Sequence, residues 1–110
     1  MRILLDECLP HRLRTALFEQ DIMTTSYMGW KGLKNGVLLR VAEDAGIEVL
    51  LTADGNLTYQ QNWLNRRIAV ITLSGNHWPA IEKKLPEIVR ALSLAVPGSF
   101  QFVDIGGDEI

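Results

Sequence analysis

The sequence is short of several things, and each shortage excludes something. It has one cysteine, Cys8, in 110 residues, so no internal disulfide framework can hold it together. It has no apolar run approaching the length of a membrane span, and no membrane partner is expected. It has no charged-then-apolar leader before the first strand pattern, which makes the cytoplasm the expected location. Charge of one sign is also missing. The net charge is −2, so the chain does not read as a protein that coats nucleic acid. A local basic strip would still serve, and only Arg12, Arg14, Lys31, Lys34, Arg66 and Arg67 could build one. Most of these read better as solvated faces. No internal repeat and no low-complexity linker interrupts the chain.

What is present is ordinary for a globular protein: 47% apolar and 22% charged residues, enough to bury one core without staples. Strand and helix signals alternate, which predicts a mostly parallel sheet flanked by helices, an α/β domain over 1–105 with an acidic tail at 106–110. Strands are expected at about 2–5, 22–26, 48–53, 68–73 and 100–103. The first helix follows Pro10 and carries Leu9, Leu13, Ala16 and Leu17 as its apolar stripe. Residues 27–34 read as a loop. Asn35 reads as the cap of a helix to about Ala45, with Val37, Leu38, Val41, Ala42 and Ala45 on one face, ended by Gly46. A short polar helix is expected over 57–64. Pro86 divides the next helical stretch into a turn at 79–84 and a helix at 86–95, with Ile88, Val89 and Leu92 inward.

The chemistry-bearing feature is a pair of carboxylate signatures at strand ends. Ile3-Leu4-Leu5 runs into Asp6-Glu7, and Val49-Leu50-Leu51-Thr52-Ala53 runs into Asp54. In an open α/β sheet, ligands gather beyond the carboxyl ends of the strands. If the two strands are neighbours, Asp6 and Asp54 converge there, either to hold a hard divalent cation or to share a proton. Either aspartate alone also suits a helix cap or a turn. Ser74-Gly75-Asn76 is expected at the same edge. Cys8 reads as a small packing residue, since negative neighbours raise a thiol pKa. Trp30, Trp63, Trp78 and Tyr59 fall in loops or short helices, where they could plug the core rim, dock a partner or stack on single-stranded RNA. His11 and His77 are expected to face solvent.

The segment MRILLDECLP resembles the opening of small bacterial PIN-like, nuclease-related proteins. VLLTADGNL resembles their second hallmark, an apolar strand followed by T-x-D and a turn. GWKGLKNGVLLRVAEDAG and NLTYQQN look like an uncharacterised bacterial branch of that group. The resemblance covers residues 1–75 and implies a parallel sheet with the first strand central. It implies an acidic pocket for Mg²⁺ or Mn²⁺, RNA cleavage in the active members, and in many relatives a toxin with a cognate antitoxin. Dimers are common among them. On this resemblance Asp6 and Asp54 are metal ligands, Glu7 a ligand or the group that orients water, and Asp6, Glu7 and Asp54 the catalytic set. Asn35, Asn56, Ser74 and Arg12 are then candidates to hold substrate. One departure stands out. Relatives carry a carboxylate where the helix after the second strand begins, and here that stretch is Asn35-Gly36-Val37. Glu43 is the next acid, about 10 Å further along at ~1.5 Å per residue. A degenerate, non-catalytic module that binds RNA or protein is therefore an alternative. A receiver-like phosphoacceptor domain is another, with Asp54 as acceptor and Thr72 or Ser74 assisting. It lacks the lysine expected at the end of the fifth strand, Phe100–Asp104.

Overall fold

The structure, a computed structural model, describes residues 1–17, 19–33, 35–55 and 66–106, with Asn35 in its backbone alone. The expected helix at 57–64, Asn56, Tyr59, Trp63 and tail residues 107–110 lie outside the described residues.

Five strands form one all-parallel sheet: β1 Arg2–Leu5, β2 Asp21–Thr24, β3 Val49–Thr52, β4 Ala69–Leu73 and β5 Phe100–Val103. Their order is β2-β1-β3-β4-β5. β3 is central, and β1 lies one place in from the edge. β3 and β4 are buried at every position, as continuous apolar runs covered on both faces should be. The helices are α1 Arg12–Ala16, α2 Thr25–Met28, α3 Asn35–Asp44, α4 Trp78–Lys83 and α5 Leu85–Leu94. Pro79 and Pro86 sit in the first turns of α4 and α5, where a missing N–H costs little.

One face of the sheet buries Ile3, Leu5, Leu51 and Ile71 beneath Leu13 of α1, Ile81 of α4 and Ile88 and Leu92 of α5. The other buries Leu4, Leu50 and Val70 beneath Leu38, Leu39 and Ala42 of α3. Each fully buried Leu or Ile contributes about 1.5–3 kcal/mol. The central place of β3 corrects the expectation of a central first strand, and three further expectations change here. Strand β2 stops at Thr24, because its hydroxyl accepts the Tyr27 N–H at 3.0 Å and caps α2, taking Thr25 and Ser26 into a helical turn. On α3 the inward residues include Leu39, while Val37 is exposed. On α5 Ala91 is inward and Val89 is 46% exposed.

The crossovers differ in hand. The β1–β2 link steps toward one edge with α1 on the first face. The β2–β3 link steps back with α3 on the second face, which preserves the hand. The β4–β5 link continues in that second direction, yet α4 and α5 lie on the first face. It is the mirror image of the other two, against a right-handed rule obeyed in about 98% of such links.

Candidate functional site

Strand register places a polar row across the carboxyl edge of the sheet. Leu5 pairs with Thr24 on one side and Leu51 on the other, so the next residue, Asp6, lies between Thr25 and Thr52. Thr52 pairs with Thr72. Because side chains alternate along a strand, Asp6 and Thr52 share the α3 face with Leu4 and Leu50.

Hydrogen bonds fix this row. The Asp6 N–H extends the ladder to the Leu51 carbonyl at 2.9 Å, and the Leu9 N–H then returns to the Asp6 carbonyl at 3.0 Å. Asp6 Oδ1 accepts the Glu7 N–H at 2.8 Å. Asp6 Oδ2 accepts the Thr52 hydroxyl at 2.7 Å, and Thr52 Oγ1 accepts the Asp54 N–H at 3.1 Å. One threonine thus ties the two aspartates together, and each Asp6 oxygen retains a lone pair. Glu7 Oε1 accepts the Gly32 N–H at 3.1 Å, from a glycine at φ +85°. Cys8 Sγ lies 3.7 Å from Thr52 Oγ1 and accepts the Ala53 N–H at 3.4 Å. Burial, then the Asp6 charge, pushes the thiol pKa up, so Cys8 is a poor thiolate nucleophile although it is exposed at the edge. Asn76 Nδ2 donates to the Cys8 carbonyl at 3.2 Å and clamps the β4 loop to the β1 loop.

Asp6, Glu7, Cys8, Ala53, Asp54 and Asn76 border a cleft of about 540 Å³. Asp6, Glu7 and Asp54 supply its acidic lining, and Thr25, Trp30, Leu33 and Leu38 an uncharged part of the same lining. Among the described residues no lysine, arginine or histidine lines it.

Asp6, Glu7 and Asp54 are therefore brought together, as the strand-end argument requires. Ser74 is not at this cleft. Its hydroxyl donates to Asp104 Oδ1 at 3.2 Å and accepts the Ile105 N–H at 2.8 Å, tying β4 to the residues after β5 and lining a second cleft with exposed His77. Arg12 opens α1, is exposed, and is not among the described lining residues. Asn35 opens α3 at its backbone; its side chain, like all of Asn56, lies outside the described set. Glu43 is committed elsewhere. Its Oε1 meets Arg66 Nη1 at 2.9 Å and its Oε2 accepts the N–H groups of Arg67 and Ile68 at 2.7 and 3.1 Å. Burial opposes its ionisation, but the Ile68 and Arg67 N–H groups and the Arg66 guanidinium outweigh it and hold the pKa below the ordinary value. Sequence reasoning passed over Thr52 and Thr25; it placed Ser74-Gly75-Asn76 at this edge, where Gly75 and Asn76 line the cleft. For Thr52 a signal existed in T-x-D, the spacing at which a hydroxyl accepts the N–H two residues on.

The donor set is hard carboxylate oxygen, which suits Mg²⁺ or Mn²⁺ rather than softer metals. Mg²⁺ keeps several waters and needs only one or two carboxylates, which Asp6 and Asp54 could supply. No ready-made group of three His, Cys, Asp or Glu stands among the described residues. No described helix is long and apolar enough to cross a membrane. Neither a protein-family model, nor a curated protein, nor a solved structure matches this chain.

Proposed function

We propose that the chain is a PIN-like protein whose acidic cleft cleaves RNA with Mg²⁺ or Mn²⁺, acting in the cytoplasm as the toxin of a toxin–antitoxin pair. The observation that carries this reading is the cross-tie: Thr52 holds Asp6 and the Asp54 backbone together at the ends of adjacent strands, beside one cleft. A bound cation would supply a water that ionises near neutral pH and a counter-charge for phosphate. Asp6 and Asp54 would hold that cation. Glu7, steadied by the Gly32 N–H, would accept a proton from the attacking water. No described lysine, arginine or histidine lines the cleft, so a bound cation would supply the positive charge that meets a phosphodiester.

A non-catalytic binding module is the second reading. It is favoured by α3, which presents Leu38 to the cleft and has no acid at Asn35-Gly36-Val37. The receiver-like reading draws on the strand order, which flavodoxin-like domains share. Against it stand the absent β5 lysine, the engagement of Ser74 with Asp104 and Ile105, and the reversed β4–β5 crossover.

The test is RNA cleavage by purified protein in Mn²⁺. Wild type should cut, EDTA or Asp6→Asn should abolish cutting, and Gly36→Asp or Val37→Glu should raise it. Cutting that survives both EDTA and Asp6→Asn rejects the acidic centre. No cutting by the wild type or the restored variants, across varied RNAs, favours the binding module.

A further inference from the structure

The uncharged wall of the cleft has features that metal binding leaves unused. Thr25 lines the cleft, is 1% exposed, and its Oγ1 has no hydrogen-bond partner among the described residues. A buried hydroxyl in that state is unusual and calls for a cause. Beside it Trp30 is half-buried against the α3-side core, with Leu33 and Leu38 completing an apolar surface. The segment that presents Trp30 is closely fixed. Thr24 caps α2, Gly29 ends it at φ +78°, and the Trp30 N–H returns to the Thr25 carbonyl at 2.8 Å. A flat aromatic group and a hydroxyl able to donate and accept thus line the same cleft as Asp6 and Asp54.

We propose that this wall is a nucleobase subsite. One base of a single-stranded RNA lies against Trp30, Leu33 and Leu38, and its polar edge pairs with the Thr25 hydroxyl. The adjoining phosphate is thereby directed toward the acids. The assignment rests on the ribonuclease reading for its substrate, and it adds which part of the cleft grips which part of the strand. A volume of about 540 Å³ accommodates a nucleotide. A basic peptide side chain is the competing occupant. It could stack on Trp30 and donate to Thr25 Oγ1, but it would leave the Thr25 O–H without an acceptor, since an ammonium or guanidinium only donates, whereas a base edge both donates and accepts.

The experiment measures binding of the four uncharged ribonucleosides to the full chain in EDTA, by chemical-shift titration, so that neither metal nor cleavage contributes. At least one nucleoside should bind and shift the Trp30 indole signal. Trp30→Leu should weaken it about tenfold, the scale of one lost base–aromatic stack. Thr25→Val should weaken the same nucleoside severalfold while raising Tm, because it removes an unpartnered buried hydroxyl, and Thr25→Ser should restore binding. The Thr25 pair keeps the test decisive if Trp30→Leu fails to fold. Absence of binding by all four nucleosides overturns the subsite. So does binding that Thr25→Val and Trp30→Leu leave unchanged, or Trp30-dependent binding of arginine methyl ester without any nucleoside. Cleavage without nucleoside binding rejects the subsite and keeps the nuclease. Nucleoside binding without cleavage keeps the subsite and rejects the nuclease.

Discussion

Glu43 and Asp6 are carboxylates at opposite ends of the same sheet, and their surroundings assign them different work. Glu43, near the end of α3, meets one guanidinium and two backbone N–H groups just before β4 begins. Its charge is matched, and its oxygens are spent on joining a helix to a strand. Asp6, just past β1, meets one N–H and one hydroxyl, and no described cation lines the cleft it borders. Its neighbours Glu7 and Asp54 add charge of the same sign. A paired carboxylate stabilises the fold. A carboxylate held by dipoles among like charges keeps its electrostatic capacity for a ligand.

The largest expected effect comes from breaking the paired end. Glu43→Ala leaves Arg66 and two N–H groups without their acceptor, and should cost about 3 kcal/mol in urea unfolding. Asp6→Asn should cost no more than about 1 kcal/mol. Equal losses at the two ends would erase the distinction. The pH dependence sharpens it. Glu43 has a folded pKa below its unfolded value, so the native state binds fewer protons in that interval. Its stabilisation is complete above about pH 4.3 and is lost as pH falls through the lower folded value. Glu43→Gln should flatten that part of the stability profile.

Ligand-linked stability should appear at the other end. Mn²⁺ at ten times its Kd should add about 1.4 kcal/mol, or roughly 6 °C in Tm. Asp54→Asn should remove most of this rise and leave the fold intact. Thr52→Val, which cuts the tie between Asp6 and Asp54, should cost about 1 kcal/mol and weaken Mn²⁺ binding. The smallest effect is expected from Ser74→Ala, below about 1 kcal/mol with Mn²⁺ binding unchanged, because its partners lie at Asp104 and Ile105.

The strands β1, β3 and β4 were legible because buried parallel strands read as continuous apolar runs, which need no alternating pattern to be found. The convergence of Asp6 and Asp54 followed from their strand-end positions once β1 and β3 proved adjacent. The end of β2 was not legible, because Thr24 to Ser26 suits a strand by propensity and only the cap bond to Tyr27 turns the chain. Helix faces at Val37 and Val89 failed for a related reason: periodicity gives a stripe, while docking on the sheet chooses its centre. The side of the sheet taken by α4 and α5 is a tertiary fact with no local signal. Ser74 looked like Asp54 in position but spends its hydroxyl on the chain after β5.

The most direct measurement is paramagnetic broadening of backbone amide signals on adding Mn²⁺ to the metal-free protein. The signals of Asp6, Glu7, Ala53 and Asp54 should disappear first, with those of Glu43, Arg67 and Ile68 persisting, and Asp54→Asn should suppress the effect. Broadening centred on Glu43 or Asp104, or none at millimolar Mn²⁺, would contradict the assignment of the carboxyl edge as the ligand-holding end.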